Sequence, residues 1–127
     1  MRIEYPGHSY YLHTLDSITR ELGGRYEQIL VFVMRTGPKY PGNPCHFAGT
    51  NLQEVFRACL DRVWYLDKQQ PCWQNKPIKW GLSLFIWLLE WRAARKHKRA
   101  IPGIHNSIFG KFCLECGHVG CKGECHA

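Results

Sequence analysis

The last fifteen residues, CLECGHVGCKGECHA (113–127), hold four cysteines and two histidines. Thiolates and imidazoles at this density support three chemistries: a disulfide pair, a redox dithiol or a metal centre. Cys113 and Cys116 form a CxxC, a turn that aims two thiolates at one ion. Four residues separate Cys116 from Cys121, and four more separate Cys121 from His126, giving C-x2-C-x4-C-x4-H. Gly117 and Gly120 stand where the backbone must turn tightly around an ion. Cys125 and His118 are alternates within the same reach. A redox CxxC belongs at the start of a helix in a βαβ setting, and no such pattern surrounds this one. Seven cysteines are an odd number for a disulfide framework. A metal centre is the expected chemistry, with Zn2+ favoured by mixed sulfur and nitrogen donors. Four protein ligands leave no position for water, so the expected site is structural. It would staple a tail too short to fold by burial alone.

Residues 113–126 resemble the zinc knuckle, the short CCHC module of retroviral nucleocapsids and many RNA-binding proteins. The resemblance covers both spacings and both glycines. It departs in the order of the last two ligands, here Cys121 then His126. It departs also at Leu114, where the family carries an aromatic that stacks on a base. The resemblance implies zinc binding and recognition of single-stranded nucleic acid or RNA, since a module of this size cannot fill a duplex major groove.

The basic run Arg92, Arg95, Lys96, Lys98 and Arg99 leads into this tail, with Lys111 and Lys122 beyond it. Four of them, Arg92, Arg95, Lys96 and Arg99, share helical spacing and form a stripe suited to phosphates. The formal charge of +7 and pI of 9.2 fit a polyanionic partner, nucleic acid or an acidic protein surface. Trp73, in the polar turn QQPCWQNKP, is a candidate anchor for a partner. Adjacent Cys45 and His46 lack the geometry and the third group of a nucleophile–base pair. No phosphate loop, HExxH or GxSxG is present, so neither an enzyme nor a small-molecule substrate is expected. His8, His13, His97 and His105 show no ligand spacing and receive no role.

These residues need a scaffold, and the composition of the 127 residues supplies one: 45% are hydrophobic, with five Trp, six Tyr and six Phe. Helical periodicity predicts an all-α fold of three or four helices. The first helix is read from Leu15, Ile18, Leu22, Tyr26, Ile29, Leu30 and Val33, with Gly23-Gly24 as a break. The second follows Thr50 in capping-box spacing with Gln53. It buries Leu52, Val55, Phe56, Cys59, Leu60, Val63 and Trp64, and its outer face allows an Arg57–Asp61 pair. The third runs from about Pro77 to about Arg99, with Trp80, Leu84, Trp87 and Trp91 expected in the core. A Trp-rich helix also offers a homodimer face. The loop GPKYPGNPCHFAGT is expected to pack on the core, because its aromatics suit no loose linker. The organisation expected is a helical domain over 1–100, a linker over 101–112 and a zinc module over 113–127.

The N-terminus carries no apolar signal region, and the longest apolar run, WGLSLFIWLLEW, is too short to span a bilayer. A cytoplasmic, non-membrane protein is expected. The stretch GPKYPGNPCHFAGTNLQEVFRACLDRVWYLDKQ, with LLEWRAARKHKR, is similar to small uncharacterised bacteriophage and prophage proteins. That resemblance implies the cytoplasm of a bacterial host, and a partner among host components that such a protein would inhibit or redirect.

Overall fold

A computed structural model describes residues 1–14, 27–111, 113–116, 118–119 and 121. The chain divides into two compact units, Met1–Thr50 and Asn51–Ala127.

The first unit overturns the all-α expectation. It carries β1 (Arg2–Tyr5), β2 (Ser9–His13) and β3 (Glu27–Val31), an antiparallel sheet in the order β1-β2-β3. Residues 15–26 of the expected first helix lie outside the described residues, but its last turns are strand. The reason is local. Ile29 to Val33 is an apolar run in which Ile29, Val31 and Val33 are β-branched and Phe32 aromatic, too short for periodicity alone to separate strand from helix. Tyr5-Pro6-Gly7-His8 turns β1 into β2: His8 N–H donates to the Tyr5 carbonyl at 3.0 Å, and Gly7 takes φ +76° after a proline. Glu4 accepts from Ser9 Oγ at 3.0 Å and Tyr11 Oη at 2.9 Å, pinning the hairpin.

The Pro/Gly-rich loop is tied to the sheet but, contrary to expectation, is not buried on a core: Phe47 is 52% exposed and the loop's prolines are exposed. Its end returns to the strand, with Met34 N–H donating to Phe47 at 3.1 Å and Phe47 N–H to Met34 at 2.9 Å. Thr50 bonds to Val31 and Val33. Gly49 lies so close that a Cβ would stand 2.6 Å from the Phe32 carbonyl carbon.

The second unit is helical: α1 (Leu52–Gln69), α2 (Asn75–Lys96) and α3 (Ile104–Phe109). The cap of α1 is Asn51, not Thr50; its Oδ1 accepts from Glu54 N–H at 2.9 Å. Asp67 then ties the α1–α2 hairpin by accepting from Asn75 at 2.8 Å and Lys79 at 3.0 Å. The core is built on Leu60 of α1 and Ile86 of α2, both fully buried, with Ala93 and Ala94 below them. Phe109 of α3 stacks on Trp64, ring centroids 5.6 Å apart.

Three further expectations are corrected here. Cys59 is exposed, not core. Of the tryptophan stripe, Trp87 and Trp91 pack together with centroids 5.0 Å apart, while Leu84 is exposed and Trp80 is 80% exposed. The apolar residues of α2 outnumber what one helical partner and a six-residue α3 cover. Arg57 pairs with Glu54 and Glu90, not Asp61, because it turns inward beneath α3.

α2 closes in a Schellman motif: Arg99 N–H donates to Ala94 at 2.8 Å and Lys98 N–H to Arg95 at 3.2 Å. The left-handed position, normally glycine, is Lys98 with φ 54°. The helix therefore ends at Lys96, and Arg99 leaves the expected basic stripe.

Candidate metal centre

The cysteine segment doubles back on itself after α3. Cys113 N–H donates to the His118 carbonyl at 3.1 Å, closing the turn that contains Cys116. The ligand sulfurs of Cys113, Cys116 and Cys121 all lie within 4.8 Å of one another. Zinc–sulfur bonds of about 2.3 Å in a tetrahedron set sulfurs about 3.8 Å apart. The cluster is thus near the size of a metal site, and the donor set fits a thiophilic ion. No disulfide joins any two of the described cysteines.

Cys116 is the buried member; Cys113 and Cys121 are half-buried. Burial pushes the Cys116 thiol up, against the His118 backbone N–H and the Arg99 guanidinium, which both favour the thiolate. Arg99 Nη2 stands 3.7 Å from the Cys116 sulfur. The structure thus places Arg99 on the cluster itself, where a cation offsets accumulating thiolate charge. Arg92, Arg95, Lys96 and Lys98 are exposed around the end of α2, and Lys111 is exposed beyond α3.

His118 stands outside the three-sulfur group. Its Nδ1 lies 3.1 Å from Gln53 Nε2 and 3.8 Å from Glu90 Oε2. Cys125, His126 and Lys122, with Gly117 and Gly120, lie outside the described residues.

Behind the cluster is a polar junction that the sequence reading missed. Glu90, 1% exposed, accepts from Arg57 Nη2 at 2.9 Å through one oxygen and from the Val119 N–H at 3.3 Å through the other. The same Arg57 donates to the Ser107 carbonyl of α3 at 2.7 Å. Burial raises the Glu90 carboxyl above its ordinary value, and the bonds from Arg57 and Val119 oppose that rise. The buried Glu90 carboxylate so joins α1, α2 and the cysteine turn, and Arg57 extends the junction to α3. The signal was present, since WLLEW places one acid inside an apolar helical run. Its partner lay 33 residues away.

Trp73 is 75% exposed, as its polar turn suggested. No helix among the described residues is long and apolar enough to cross a membrane.

The site belongs to the class of cysteine-rich clusters able to hold a metal ion. Comparison with protein-family models, curated proteins and solved structures finds no match to this chain. None of these comparisons supports the likeness to bacteriophage proteins.

Proposed function

We propose that the cysteine segment is a structural zinc site, and that the protein binds single-stranded nucleic acid or RNA without catalysing a reaction. The approach of Cys113, Cys116 and Cys121 to within 4.8 Å carries the reading. Zinc suits three thiolates completed by His126, or by Cys125 as the alternate fourth ligand. A closed set of four leaves no position for a reacting water.

Nucleic-acid binding is supported by what surrounds the cluster. The Schellman turn and the Arg99–Cys116 contact hold the cationic end of α2 beside the cysteines. Leu114, 91% exposed, caps the turn with an apolar surface where a knuckle meets a splayed base. The bacterial host cytoplasm is the compartment this reading implies. Its test is fluorescence anisotropy of a labelled RNA oligonucleotide with zinc-loaded protein, titrated with salt. Affinity that falls steeply with salt supports the reading. No binding, or salt-insensitive binding, overturns it.

A second reading rests on Trp73 and Trp80. Their exposure, with Leu84 and Leu88 exposed on the same helix as Trp80, suits a protein partner with an acidic rim. A partner that stays bound after nuclease treatment favours this second reading.

A further inference from the structure

A second pair of sulfurs lies close together in the first compact unit. Cys45, half-buried in the Pro/Gly loop, has its Sγ 4.0 Å from the Sδ of buried Met34. Met34 exchanges reciprocal backbone bonds with Phe47, two residues after Cys45, which ties the two arms of the loop together beside both sulfurs.

His8 shares this neighbourhood. The Tyr10 and Phe32 rings touch across the sheet, centroids 5.9 Å apart. His8 and Met34 are each two residues further toward the same end, so strand alternation puts both on that face. The His8 ring lies 5.4 Å from that of Phe47, the residue paired with Met34. His8 is 9% exposed, and its Nδ1 is buried with no hydrogen-bond partner among the described residues. His8, Met34 and Pro44, the residue before Cys45, line one open cavity of 390 Å³.

A thiol, a thioether and an unpartnered imidazole nitrogen are poor partners for one another as hydrogen-bonding groups. They are good partners for a soft cation. Among the described residues no carboxylate lines the cavity, and its donors do not suit Mg2+ or Ca2+. Thiolate with thioether selects Cu(I). Two metal–sulfur bonds of about 2.3 Å opened to about 120° place sulfurs about 4.0 Å apart. That spacing is trigonal and calls for a third donor. Charge agrees: when Cys45 releases its thiol proton to solvent, one thiolate neutralises one monovalent cation, whereas a divalent ion would leave a buried net charge.

We propose that Met34, Cys45 and His8 form a binding site for Cu(I), distinct from the cysteine cluster of the second unit.

The chain has two methionines, Met1 and Met34, so 13C-methyl labelling gives one resonance for the site and one internal control. The full-length, zinc-loaded protein is titrated with Ag(I), a redox-inert stand-in for Cu(I), without oxygen and past saturation of the cysteine cluster. The Met34 methyl is expected to shift and saturate while that of Met1, 66% exposed, stays in place. Cys45→Ser is expected to abolish the shift, and His8→Phe to weaken binding at least tenfold; amide spectra verify that both variants fold. A Met34 methyl that does not move in the wild type overturns the proposal, whatever the variants do. So does a shift of both methyls together, which is unspecific capture by sulfur.

Discussion

Glu90 and Arg57, 33 residues apart in sequence, meet at 2.9 Å in the interior of the second unit, where Glu90 is all but sealed from water. A buried pair of this kind stabilises little against an apolar pair of the same volume, yet is costly to break from one side. It fixes which surfaces meet, because each charge is satisfied only in this arrangement. Arg57 needs the Ser107 carbonyl as well, and Glu90 needs the Val119 N–H.

Removing one partner strands the other. Arg57→Ala or Glu90→Ala is expected to cost about 3–5 kcal/mol in urea unfolding of metal-loaded protein. The double replacement Arg57→Met with Glu90→Leu should cost much less than the sum of the two. Additive losses would show that the two residues act separately.

The pH dependence follows from the direction of the Glu90 shift. Its carboxyl is raised from 4.5, first of all by burial, so the folded state holds its proton where the unfolded state has lost it. The stability it contributes is fully present below 4.5 and is lost as pH rises through the folded value. Glu90→Gln has no such proton. Urea unfolding of both proteins in chelator should show the stability difference moving in favour of the glutamine variant as pH climbs from about 4.5. A difference that stays flat across that range contradicts the burial account.

For the metal, elemental analysis is expected to find one zinc per chain. Cys113→Ser, Cys116→Ser and Cys121→Ser should each lose it. Of Cys125→Ser and His126→Ala, only one should, which names the fourth ligand. Metal-free protein purified without chelator would remove the knuckle reading.

The cations near the cluster should separate into two roles. Neutralising Arg92, Arg95 and Lys96 together is expected to reduce the salt slope of RNA binding by about 2, at roughly 0.7 per phosphate contact on a single strand. Arg99→Gln should change the slope little and weaken zinc retention, because Arg99 faces the Cys116 sulfur. A slope change from Arg99→Gln equal to that of the exposed residues would place it on the nucleic acid instead.

Lys98 sits in a left-handed conformation that costs an L-residue about 1–2 kcal/mol and glycine almost nothing. Lys98→Gly should therefore raise the stability of the second unit by about 1 kcal/mol in urea unfolding. A loss would mean that the lysine side chain contributes more than its backbone costs.

What the sequence disclosed follows the range of the interactions. The cysteine cluster is written in nine consecutive residues, Cys113 to Cys121, and was legible as such. The helices α1 and α2 were legible too, from apolar spacing, with the cap misplaced by one residue because Thr50 and Asn51 are both good caps. The sheet was not. Glu27 to Val31 is strand only because β2 lies beside it, and it pairs with β2 through residues that a helical reading also accommodates. The inward turn of Arg57 was equally hidden, since its position on α1 suits solvent until Glu90 and Ser107 are brought to it. Trp80 misled in the opposite sense: apolar spacing marks a face, and only the count of neighbouring elements decides whether that face is covered.

The bond from Val119 to Glu90 has a practical consequence for anyone shortening this chain. A product ending near Arg99 would retain α1 and α2 intact in sequence, yet it would lack the Ser107 carbonyl and the Val119 amide. Arg57 and Glu90 would then face an opened cleft with half their bonds missing. Deleting the cysteine tail to obtain a simpler helical fragment would thus damage the interior of the piece that was kept.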